Sequence, residues 1–217
     1  MALRTNPDWL YLLREFDHVY RRGSAGGSAV IRSHRRRVRE ALSRIMDSDP
    51  DIRPREPHTL PVVAHLGRAI DLAATGPLAA LARAVDRISG QITWELGYSR
   101  LPQHLARQYA YCELLGPQGP VRADSLIIGL VLFAPNTTYP QHSHHDIEES
   151  YVSVSGAWSE NDVAVYAPGS LILNRSGHEH RITVGGLDPC LLAYAWLGPA
   201  ERLAAPEMRF SKPARKG

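Results

Sequence analysis

Residues 139–151 read YPQHSHHDIEESY: three histidines, three acids and two tyrosines in thirteen positions. Imidazole nitrogens and carboxylate oxygens are the side-chain donors that first-row divalent metals take up. Residues two apart on an extended strand point to the same face. His142 and His144 therefore project together, as do Glu149 and Tyr151 from the strand after the HHDI corner. Two imidazoles and a carboxylate converging from adjacent strands suit a divalent metal with open coordination positions. A fourth ligand has to come from elsewhere, and PGSLILNRSGHEHRI offers His178 and His180, again two apart. On residue type alone, His145 competes with His144, and His178 competes with His180. Glu148 faces away from Glu149, as a solvated acid or one standing behind the ligand.

These residues need strands to hold them, and the sequence changes period at the right place. From about Gln91 the chain runs in short β-branched and aromatic segments: QITWELGY, YAYCELLG, DSLIIGLVLFAP, SYVSVSGAW, DVAVYAPG, SLILN, HRITV and CLLAYAWLG. Gly, Pro, Asn and Asp punctuate them, as in a sandwich or barrel. Ser153 and Ser155 share a face with Glu149 and Tyr151 and are expected to leave room inside, with Val152 and Val154 on the other face. The first hundred residues read as helices. Asn6 is the expected N-cap of the first, with Pro7 at its first turn; Trp9, Leu12, Leu13, Phe16 and Val19 form its apolar stripe. GSAGGS at 23–28 ends it, a second helix spans about 30–46, a proline-rich linker follows, and two more helices lie around 64–74 and 77–89. The expected organisation is a helical extension over 1–90, a β domain over 91–200 and a C-terminal tail over 201–217, whose charged end RFSKPARKG is expected to fray.

The 217 residues are 44% hydrophobic, enough for a sizeable core. A net charge of +3 does not imply nucleic acid. The basic run RSHRRRVRE at 32–40 lacks interleaved aromatics and any reading motif, so it is expected to be a solvated helix face. No apolar run is long enough to span a membrane, and the N-terminus lacks a signal-peptide layout, so a cytoplasmic location is expected. Cys112 and Cys190 sit in apolar runs and read as buried free thiols.

Several strings together carry a resemblance. His-x-His, four residues, Glu149, six residues and Gly156 make the first motif of the cupin barrels, and YAPGSLILNRSGHEH resembles the second. Its histidine follows eleven residues after Gly169, which selects His180; Arg175 replaces a usual proline. Within the cupins, YAYCELLGPQGP, YPQHSHHDIEESYVSVSG, HEHRITV and LLAYAWLG resemble the cupin-type dimethylsulfoniopropionate (DMSP) lyases over roughly 91–199. The resemblance implies a mainly β double-stranded β-helix, or jelly roll, with an N-terminal helical extension. It implies a carbon–sulfur lyase that splits DMSP into dimethyl sulfide and acrylate. It also implies one divalent transition metal per chain (zinc, iron(II), manganese, nickel or cobalt) on His142, His144, Glu149 and His180. Tyr151 would be the base, Tyr139 would line the site, and Trp196 with Tyr194 would face the substrate. The family pattern has three residues between the second histidine and the glutamate, where this chain has four; either the loop bulges or His145 takes the place of His144.

Other metal-dependent cupin chemistry, as in a dioxygenase or isomerase, and a non-catalytic carboxylate-binding cupin are the competing readings. The expected partner is a small zwitterionic sulfonium carboxylate, with no nucleic acid and no membrane. The helices carry no clustered ligands and are expected only to support the β domain or a homodimer interface. Replacing His34, His58 or His65 is expected to leave turnover within a few-fold.

Overall fold

The computed structural model describes residues 1–22, 27–98, 101–206 and 210. The segment IIGLVLF forms β3 (Ile127–Phe133), buried at every position. An antiparallel strand with no polar face must be covered on both sides. Ile128, Leu130 and Leu132 enter one core, while Ile127, Val131 and Phe133 enter a second. Helices supply the first cover and another sheet the second.

The larger sheet runs β2-β1-β3-β10-β5-β8, from β1 (Tyr109–Gly116), β2 (Val121–Arg122), β3, β5 (Glu148–Ser155), β8 (Leu171–Asn174) and β10 (Cys190–Leu197). The smaller runs β4-β9-β6-β7, from β4 (Thr138–His142), β6 (Trp158–Glu160), β7 (Ala164–Tyr166) and β9 (His180–Val184). The two form a jelly roll of facing sheets, and among the described residues no ladder closes them into a continuous barrel. On the outer face of the larger sheet lie α1 (Pro7–Arg22), α2 (Ala29–Ser48), α3 (Leu66–Ala73) and α4 (Ala79–Ile88). Two short helices, α5 (Gln103–Ala106) and α6 (Ala200–Ala204), flank the β domain. No helix among the described residues is long and apolar enough to cross a membrane.

The expected stripe of α1 is buried at Trp9, Leu12, Leu13 and Phe16 and continues to Tyr20. Ser28 caps α2, accepting from the Ile31 N–H at 3.3 Å; the rest of the GSAGGS break, 23–26, lies outside the described residues. Asn6 stands at the N-cap position of α1, its carbonyl accepting from the Leu10 N–H at 3.0 Å, while its side-chain amide donates back to the Ala2 carbonyl at 2.8 Å. Several expectations need correction. QITWELGY is not a ladder strand: Thr93 and Glu95 make isolated bridges to His58 and Tyr111. The basic run is not simply a solvated face. Its His34 is fully buried, and Arg35 donates to the Tyr20 carbonyl at 2.8 and 3.0 Å. Of the expected tail, residues 201–204 belong to α6, with Leu203 buried; the end expected to fray, RFSKPARKG, lies outside the described residues except Phe210, which bridges to His142 and stacks on Tyr98 at 4.2 Å.

Candidate active site

The two sheets each contribute candidate ligands. β4 and β9 pair so that His142 lies directly opposite His180, with ring centroids 4.1 Å apart. The Nδ1 atoms of these two rings are engaged by the carbonyls of Pro140 at 2.9 Å and His178 at 3.1 Å. That leaves Nε2 of each free to bind, the usual way a backbone carbonyl fixes a ligating histidine. Glu149 comes from the facing sheet, where β5 sets it between Trp196 on β10 and Asn174 on β8. His144 lies beyond the end of β4, in the corner. Strand parity therefore does not place it as expected; the turn does, with Asp146 in the left-handed region at φ 59° and its N–H bonded to Ser176 Oγ at 2.8 Å. This turn absorbs the extra residue before Glu149.

The donor atoms of His142, His144, Glu149 and His180 all lie within 4.8 Å of one another, and all four residues are buried. His145 is outside the group, exposed and paired with Asp146 at 2.8 Å. His178 is exposed and its Nδ1 lies 3.1 Å from Asn174 Oδ1. Glu149 Oε2 stands 3.0 Å from His180 Nε2 and 3.5 Å from His144 Nε2. Yet none of these three atoms makes a directed hydrogen bond. Buried polar atoms seldom go unpartnered. Three that converge on one point, in a donor set of three imidazoles and one carboxylate, fit a divalent cation and can hold one.

Electrostatics favours the same occupant. Burial alone would raise the Glu149 carboxyl, but His144 and His180 beside it hold it well below the usual range. Burial and the neighbouring His180 push His142 down to about 3. A carboxylate and a neutral imidazole are the protonation states that ligation requires; His180, which burial would lower but Glu149 raises above its ordinary value, has to release its proton when a cation takes its place. The other carboxylate oxygen, Oε1, accepts from Trp196 Nε1 at 2.6 Å. Trp196, expected as a pocket wall only, thus also holds the carboxylate of Glu149.

A cavity opens against this group, walled by Tyr109, Tyr111, Phe133, Tyr139, Tyr151, Tyr194 and Trp196. Tyr151 is buried, two residues from Glu149 on the same face of β5. Burial and the Glu149 charge both push its hydroxyl well above its ordinary pKa of 10. Tyr139 packs edge-on to His142, 4.8 Å between centroids, and bonds Tyr98 at 2.8 Å through its hydroxyl. Tyr194 donates to the Cys112 carbonyl at 3.3 Å. Its ring lies over Gly129, where a Cβ would fall 2.4 Å from Tyr194 Cε1 and 2.1 Å from the Cys112 oxygen. Only glycine leaves room for this ring. The serines behave differently from expectation: Trp158 fills the space beside Ser153 and donates to its Oγ at 2.6 Å. Tyr98, Tyr109, Tyr111 and Phe133 were not singled out in the sequence. For Tyr109 and Tyr111, the alternation of YAYCELLG was the available signal; Tyr98 had none, since its segment is not a strand.

Comparison with known proteins places the chain among its relatives. A family model for dimethylsulfoniopropionate lyases matches residues 34–192. A protein of Cereibacter sphaeroides named for dimethylsulfoniopropionate lyase activity, DddL, is 62% identical over 215 residues, 99% of this chain and 93% of its own. Among solved structures, the DMSP lyase DddQ from Ruegeria pomeroyi aligns with a TM-score of 0.68 at 25% identity, covering 88% of this chain and 92% of its own. A chain from the crystal structures of the DMSP lyases RdDddP and RnDddQII aligns at 0.70, with 20% identity over 95% of this chain and 99% of its own, which speaks for the fold. With a family match over most of its length and a near full-length relative at this identity, the chain belongs to the dimethylsulfoniopropionate lyase family.

Proposed function

We propose that this chain splits DMSP into dimethyl sulfide and acrylate by β-elimination, with Tyr151 as the base and one divalent metal seated on His142, His144, Glu149 and His180. The observation that carries the reading is the junction of two features: orphaned donor atoms converging on one point, and a tyrosine-walled cavity opening directly on it. A bound zinc, iron(II), manganese, nickel or cobalt ion would supply positive charge that acidifies the hydrogen beside the substrate carboxylate and stabilises a tyrosinate. The chain's own residues hold Tyr151 protonated, since burial and Glu149 both disfavour its anion. As phenolate, Tyr151 Oη takes the α-proton; the Cα electron pair forms the double bond, and the Cβ–S bond breaks with its pair on sulfur. Dimethyl sulfide departs neutral, so no acid is needed, and the proton passes from Tyr151 to solvent to complete the turnover. The wall of Tyr139, Tyr194 and Trp196 receives the sulfonium, at about 0.5–2 kcal/mol for such a cation–π contact. Trp196 offers its ring face, because its N–H is committed to Glu149.

The test is headspace detection of dimethyl sulfide, with acrylate measured in parallel, after metal-loaded protein meets DMSP. Equal amounts of both products without oxygen uptake are expected, and chelator-treated protein should produce neither. Oxygen consumed in step with turnover would point to a dioxygenase, and binding without product to a non-catalytic cupin.

A further inference from the structure

β5 carries Glu149 inward, so its neighbours Glu148 and Ser150 face the helices. Further along that outer face, Val152 and Val154 pack into the apolar core. At the two positions flanking Glu149 the contacts are polar instead. His34 of α2, fully buried, reaches both: Nδ1 lies 3.1 Å from Glu148 Oε2 and Nε2 lies 2.8 Å from Ser150 Oγ. Tyr20 of α1 bonds Ser150 Oγ at 2.8 Å, and Arg37 pairs with Glu148. Donors and acceptors run consistently along the chain. With His34 neutral and its proton on Nδ1, Tyr20 donates to Ser150, Ser150 to His34 Nε2, and His34 Nδ1–H to Glu148, an assignment that satisfies every group. Burying such groups is costly unless each is satisfied, and this network is complete.

We propose that His34 is a positioning residue for the metal centre: one rigid ring ties the residues before and after Glu149, fixing the rotation of β5 about its axis. The inference rests on reading the four-residue group as a metal seat. Backbone ladders to β10 and β8 hold the strand in its sheet. Rotation would swing the Glu149 carboxylate across the site; the His34 bridge opposes it from outside, and Trp196 holds Oε1 from inside. The helical layer thus reaches the chemistry through one side chain, contrary to the expectation that replacing His34 leaves turnover little changed.

The experiment uses the full chain loaded with cobalt(II), whose visible d–d absorption reports coordination geometry. His34→Ala should change that spectrum and lower kcat on DMSP at least about 10-fold, the usual cost of losing a group that orients a metal ligand, with KM within about 2-fold. Ser150→Ala, which removes one of the two ties, should shift both in the same direction by less, and serves if His34→Ala does not fold. Leu42→Ala, a fully buried apolar change on the same helix, should lower the melting temperature while leaving spectrum and kcat as in wild type. If His34→Ala and Ser150→Ala match Leu42→Ala, losing stability with spectrum and kcat intact, the positioning role is refuted. Failure of wild-type protein to take up cobalt would instead overturn the metal seat itself.

Discussion

Replacing Trp196 with Phe isolates how strongly the protein orients its carboxylate ligand. The indole N–H donates to Glu149 Oε1 at 2.6 Å, and both residues are buried. Phe keeps an aromatic ring on β10 and removes the donor. A hydrogen bond to a charged group contributes about 1.5–3 kcal/mol. At about 1.4 kcal/mol per tenfold, metal affinity should fall roughly 10- to 150-fold, which overlaps the 10–100-fold typical of groups behind metal ligands. Competition for metal against a chromophoric chelator at fixed neutral pH measures this directly. The matched control is Tyr194→Phe, two residues away on the same strand face, whose hydroxyl donates to the Cys112 carbonyl and not to Glu149. That variant should bind metal within about 3-fold of wild type, as expected for an oxygen that does not reach the ligands. Wild-type affinity in Trp196→Phe, or an equal loss in both variants, would refute the claim that this hydrogen bond orients Glu149.

Tyr151→Phe should retain metal but lose at least about 10²–10⁴-fold in turnover, the usual contribution of a positioned base. Tyr139→Phe should cost less and act partly on KM, since its hydroxyl bonds Tyr98; an active Tyr151→Phe beside a dead Tyr139→Phe would exchange the roles. Elemental analysis should find metal in His178→Ala and none in His180→Ala, because only His180 joins the buried donor group. In metal-free protein, His142 titrates at about 3 when folded and near its ordinary 6.5 when unfolded. The unfolded chain therefore binds the extra proton between those values, and stability falls as pH drops through that window. Melting curves against pH should show a steeper loss for wild type than for His142→Gln; parallel curves would contradict the depressed value.

Some of the site was legible because it obeys local rules. His142, Glu149 and Tyr151 sit where strand alternation puts them, whereas local spacing left His178 and His180 equal and only the resemblance to the second cupin motif selected His180. His144 reached the group for a different reason than parity, through a turn with Asp146 at positive φ. Trp196 was legible as a wall residue, yet its hydrogen bond to Glu149 depends on the β5–β10 register, which no local pattern states. Tyr98 and Phe210 escaped notice because neither lies in a strand of either sheet, and they meet only across the fold.

His34 shows the same limit most clearly. One helical turn before Val38, it continues the buried stripe of Val38 and Leu42, although the basic run around it reads as a solvated face. What it meets there is set by how α2 lies on β5, 114 and 116 residues further along the chain. By itself the sequence determined the alternation of periods, the donor types and their local spacing, because backbone geometry repeats every 2 or 3.6 residues regardless of context. Only the tertiary structure decided which donors converge, which histidines stay at the surface and which group stands behind each ligand. Those outcomes depend on sheet register and helix docking, contacts between residues far apart in the chain whose geometry emerges only when the whole core packs.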